Sequence, residues 1–213
     1  MKIKTFNKKF AIGAFAVITA AFAVPYVAHA ALTANSTITQ AIAAGTISTD
    51  FRTSAGVLVN GPSFAMNPIN VSNSQQTATG VFGETEKRIA VDNPGGANGG
   101  WTLTLNAAVP ATDMWTSGGN TYDFNAATAA AGQLTVNPNA GTLTAVIGTS
   151  TGITKGSSAT FTTSSPITLL SAAAGADDIT HTTLYGATLS QTVPASTPAG
   201  SYSITMVQTV AAI

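Results

Sequence analysis

Apolar and polar residues alternate with a period of two along most of the chain after residue 30, most regularly in residues 87–107, KRIAVDNPGGANGGWTLTLNA. Ile89 and Val91 alternate on one side of a loop, and Trp101, Leu103 and Leu105 alternate with Thr102 and Thr104 on the other. That pattern predicts two half-buried strands, because successive side chains of a strand point to opposite faces. The loop, residues 93–100, holds four Gly and one Pro, so it can continue neither strand. Two adjacent strands joined by a glycine-rich crossing are predicted, with Trp101 facing the core.

The remaining chain reads as short strands separated by Gly, Pro and Asn. Residues 31–60 carry brief alternations (Ile38, Ile42; Ile47, Phe51; Val57, Val59) broken by Gly45 and Gly56. Phe64 and Met66 precede Pro68, which places an edge strand or a bulge there. Residues 76–82, QTATGVF, form a polar strand. Residues 108–131 are irregular and carry Met114, Trp115, Tyr122 and Phe124, so this long loop either folds over the end of the core or faces a partner; its alanine run is the one short helix predicted. From Gly132 on, QLTVNP, GTLTAVIG, SATFTT and PITLL are successive strands. Tyr185, Ala187, Leu189, Gln191 and Val193 are predicted on one face, and Tyr202, Ile204, Met206, Gln208 and Val210 on one face of a last strand lying inside its sheet. The expected fold is all-β, a single antiparallel β-sandwich of about nine to twelve strands.

The first 30 residues are set apart from this pattern. Lys2, Lys4, Lys8 and Lys9 precede an uncharged apolar run over residues 10–24 and then Ala28-His29-Ala30, the signature of a secretory signal peptide cleaved after Ala30. The run is shorter than the roughly 20 residues that span a bilayer. The expected organisation is therefore a signal peptide, 1–30, and a β-sandwich surface domain, 31–213. Residues 31–213 carry Arg52, Lys87, Arg88 and Lys155 against eight acids, a net charge of −4. So few cations argue against nucleic acid or an anionic lipid surface as partner. With no cysteine there is neither a disulfide framework nor a lipid-anchored N-terminal Cys. No LPxTG-like sortase motif precedes the end. A secreted protein at the cell surface or wall, without a membrane anchor, is expected.

The residues Val91-Asp92-Asn93 followed by Gly100-Trp101-Thr102-Leu103, with the terminal stretch LSQTVPASTPAGSYSITMVQTV, resemble the WxL-domain surface proteins of Gram-positive bacteria. The likeness runs from about residue 64 to the C-terminus. It implies noncovalent attachment to peptidoglycan, tied in that family to two Trp-x-Leu motifs. Where the second tryptophan would stand, this chain has Gln208-Thr209-Val210. Candidate contacts to a wall polymer or to other surface proteins are Trp101, Leu103, Trp115 and Tyr122, with Trp101 read as a core residue on periodicity and as a sugar-stacking residue on chemistry. The alternative function is a self-assembling structural subunit of a surface fibre or extracellular matrix, in which residues 31–44 add to the sheet edge of another copy.

Catalysis has little material. His181 is the one histidine after residue 30, its nearest acids Asp177 and Asp178 lie in a predicted turn, and no nucleophile elbow is present, so no enzymatic activity and no cofactor are expected. Asp92, Asn93 and Asn98 flank the glycine-rich loop with oxygens of the kind calcium accepts, whereas an Asp92 side chain bonding loop amides needs no ion. Lys87 or Lys155 could join an Asn in an isopeptide bond, though no spacing favours it.

Overall fold

The computed structural model describes residues 36–213, so the predicted signal peptide, 1–30, and residues 31–35 lie outside the described residues. Ile42–Ile213 form one compact unit. Its elements are β1 (Ser48–Arg52), β2 (Gln76–Phe82), β3 (Arg88–Pro94), β4 (Trp101–Ala107), β5 (Trp115–Ser117), β6 (Asn120–Tyr122), β7 (Gln133–Asn137) and β8 (Thr142–Ile147). These are followed by β9 (Ile153–Lys155), β10 (Ala159–Thr160), β11 (Ile167–Ala172), β12 (Ile179–Tyr185), β13 (Ala187–Val193) and β14 (Met206–Ala212). Among the described residues the helical content is two single 3₁₀ turns, Ala129–Ala131 and Pro138–Ala140, the first within the predicted alanine run.

Every pairing is antiparallel, in three four-stranded sheets, ordered β1-β3-β12-β8, β10-β7-β13-β2 and β14-β4-β11-β9, and a β5-β6 hairpin. The all-β antiparallel sandwich is therefore observed, with fourteen strands rather than nine to twelve, because several are only two or three residues long. Alternation maps onto burial: Trp101, Leu103, Leu105 and Ala107 of β4 are buried while Thr102, Thr104 and Asn106 are half-buried. They share one core with Ile89, Val91, Phe124, Phe161, Leu169, Leu170, Leu184 and Leu189.

The chain crosses between sheets where the sequence suggested neighbours. β3 pairs with β1 and β12, whereas β4 pairs with β14 and β11, so the two strands of the central stretch belong to different sheets. Gly100 shows why the loop is built as it is. Its φ is +107°, and a Cβ there would lie 2.5 Å from the Ala172 carbonyl oxygen, so the crossover closes only without a side chain. Gly186, at φ +81°, similarly hands the chain from β12 to β13 in another sheet, which removes Tyr185 from the face shared by Ala187, Leu189, Gln191 and Val193.

The last strand lies at the edge of its sheet, contrary to expectation, since its only backbone partner is β4. Its core-facing side meets β1 through Gln208, whose Nε2 donates to Thr49 Oγ1 at 2.8 Å and to the Asp50 carbonyl at 2.9 Å. A side-chain amide thus joins two sheets where the family resemblance would have placed an indole. In residues 36–60, β1 is the single strand; Ile38, Ile42 and Val57 are exposed, and Leu58 makes one bridge to Arg52.

Candidate functional site

The four candidate contact residues fall into two groups. Trp101 is 1 % exposed and Leu103 is fully buried, both on the core face of β4, so neither side chain can touch an external polymer. The surface-contact assignment of these two is corrected: their face of β4 packs into the shared core, so their alternation marks burial. Trp115 and Tyr122 stand together. Gly118-Gly119 turns the supposed irregular loop into a hairpin in which Trp115 pairs with Tyr122, their rings stacked at 6.1 Å and 15°. Phe124, just beyond it, is fully buried and packs edge-on to Phe161 at 5.2 Å. The loop therefore both folds onto the core and offers rings to the surface.

A buried amide fixes this hairpin. Gln191, 1 % exposed on β13, accepts a hydrogen bond on Oε1 from Trp115 Nε1 at 2.9 Å, and its Nε2 donates to the carbonyls of Asp123 (3.2 Å) and Thr192 (2.7 Å). A buried amide left unpaired costs about 1–3 kcal/mol, so this arrangement holds the indole in one orientation. Tyr202 adds a third ring 5.0 Å from Tyr122, and its hydroxyl donates to the Pro198 carbonyl at 3.0 Å. Burial, helped by nearby Tyr202, pushes the Tyr122 hydroxyl up to about 12, so it is a neutral hydrogen-bonding group at any physiological pH.

These rings form one wall of an open groove of about 450 Å³. Ala78, Gln191 and Val193, from one face of the paired strands β2 and β13, line its base, residues 64–72 run along a second side and residues 194–202 close it. Residues 64–72 form a strap rather than a strand: Met66 bridges Gly80, the Asn67 amide donates to the Thr79 carbonyl at 2.6 Å, and Asn67 Nδ2 reaches Thr79 Oγ1 at 2.9 Å. Pro68 then ends the pairing. Farther along, the Ser196 amide, in a turn with φ +59°, donates to the Ser72 carbonyl at 2.7 Å and ties the strap to the closing segment. No lining residue is charged. The groove volume falls within the range of small-ligand sites, roughly 300–1,000 Å³.

Gln191, Tyr202 and the strap were not among the predicted contacts. A signal existed for one: Gln191 is the lone long polar side chain on a face otherwise made of Ala187, Leu189 and Val193. Elsewhere the candidate chemistry disperses. In the glycine-rich loop it is Asn93, not Asp92, whose side chain bonds a loop amide, accepting from the Gly96 amide at 3.0 Å. Asp92 faces His181 at 3.7 Å, Asn98 is exposed, and among the described residues no group of three or more His, Cys, Asp or Glu could hold a metal ion. Lys155 Nζ donates to the backbone carbonyls of Asn139 and Gly141, and Lys87 Nζ donates to the Ser63 carbonyl, pairs with Glu84 and lies over the Phe64 ring, so neither candidate crosslinking amine is described against an Asn side chain. No family model, curated protein or solved structure matches the chain, and its function has to be read from these residues.

Proposed function

We propose that the chain is a secreted bacterial cell-surface protein that associates noncovalently with the cell wall by holding an uncharged stretch of wall glycan in the aromatic groove. The observation that carries this reading is the uncharged lining around the row Trp115, Tyr122 and Tyr202. A pyranose ring presents a face of C–H bonds that complements the electron-rich face of an aromatic ring, and its hydroxyls need neutral hydrogen-bonding partners. Asn70, Gln76, Ser201 and the neutral Tyr122 hydroxyl line the groove and supply such partners. An anionic or cationic ligand would find no counter-charge there. The export pattern of residues 1–30 is consistent with a ligand outside the membrane.

Sedimentation with purified bacterial walls tests the proposal. Trp115→Ala and Tyr202→Ala are each expected to raise the apparent Kd for walls about tenfold, the loss of one well-formed contact of about 1.4 kcal/mol. The exposed-strand variant Val207→Ser is expected to bind like wild type. Unchanged binding of both aromatic variants, with their fold intact by circular dichroism, would refute the groove as the wall site.

A further inference from the structure

Among the described residues, five of the six edges of the four-stranded sheets are protected. Beyond β1, Leu58 bridges Arg52 and the Val59 amide donates to the Phe51 carbonyl at 2.8 Å. β2 is capped by Met66 and Asn67, β14 is flanked by β1 through Gln208, and β9 and β10 are three and two residues long. The remaining edge is β8, six residues reading TLTAVI, whose single backbone partner among the described residues is β12. It contains no charge and no proline, and Val146 and Ile147 at its end are 58 % and 57 % exposed. Proteins usually blunt such edges with charges, proline or extreme shortness, because a free row of amides and carbonyls templates another strand.

We propose that β8 is a self-association edge, pairing antiparallel with β8 of a second copy of this chain across a two-fold axis. The sheet β1-β3-β12-β8 then continues into its copy as eight strands. Sequence chemistry favours the copy as occupant. A two-fold axis brings each residue opposite a residue of the same strand, and a charged edge would set like charges against each other, which β8 avoids by having none. The register to β12 is regular over Thr142, Leu143, Thr144 and Ala145 and skips Val146 at a bulge, so the regular stretch supplies the backbone pairing. Val146 and Ile147 extend the apolar surface lost to solvent on pairing. This edge belongs to a different sheet from the strands lining the groove, so wall binding and self-association stand or fall separately.

Sedimentation equilibrium of the purified chain over a concentration series reads the assembly. The expected result is a wild-type dimer that Val146→Lys converts to monomer without change in circular dichroism or melting. Because the chain has no cysteine, Thr144→Cys and Ala145→Cys, at the two central positions, place a single thiol beside the axis, and mild oxidation is expected to give a disulfide-linked dimer from at least one of them. Ser117→Cys, on the β5-β6 hairpin, is expected to give no disulfide-linked dimer under the same oxidation. A wild type that remains monomeric throughout, a dimer that survives Val146→Lys, failure of both central cysteines to cross-link, or equal cross-linking at Ser117→Cys would each overturn the proposal.

Discussion

Truncating Trp101 separates its structural part from a contact role. The side chain is 1 % exposed, and its cross-strand neighbours on β4's two partners are Ala172 and Ala212. Short neighbours of this kind cannot swing into the space an indole leaves, so the site relaxes little and the cavity persists. Buried Trp→Ala changes cost about 3–5 kcal/mol, and poor collapse puts this one near the upper end. For a unit of this size each kcal/mol moves the melting temperature by roughly 2–4 °C, so Trp101→Ala is expected to melt roughly 10–20 °C below wild type. Urea denaturation followed by circular dichroism measures the change as a lower midpoint at constant slope. Trp101→Phe, which keeps an aromatic filler, is expected to lose less stability and to bind walls like wild type while folded. Wild-type stability for Trp101→Ala would refute the core placement. Loss of wall binding in a fully folded Trp101→Phe would refute the assignment of contact to the groove.

Two further outcomes follow from polar groups. Gln208→Ala removes the amide bonded to Thr49 and Asp50, and a loss of about 1–3 kcal/mol in urea denaturation is expected, with hydrogen exchange rising first in β1. The Tyr122 hydroxyl, raised by burial from 10.0 to about 12, stays protonated in the folded protein after the unfolded chain has ionised. The folded state then holds more protons, so stability is full below pH 10 and falls as pH rises toward about 12. Tyr122→Phe is expected to flatten that fall in a series of alkaline melts, and an unchanged slope would show that another group is responsible.

Half-burial was written in the sequence. β4, β7 and β13, and the run from Tyr202 to Val210, each alternate because one face meets the core and the other does not, and a period of two is the direct record of that condition. The same logic made Trp101 legible as core. β12 was not legible: Thr180, His181, Thr182, Thr183 and Leu184 are all buried, because the strand lies between β3 and β8 with both faces covered, so no alternation survives in ITHTTLY. Sheet membership was also beyond the sequence. Ile89 and Trp101 lie twelve positions apart and enter different sheets, since the partners that claim them, β1 and β12 against β11 and β14, come from remote segments. The groove has the same origin: its strap, hairpin, Gln191 and Tyr202 are separated by tens of residues and share no local pattern. Local periodicity fixes which side of a strand is buried, while the assembly of distant segments decides what a buried amide such as Gln191 or Gln208 holds in place.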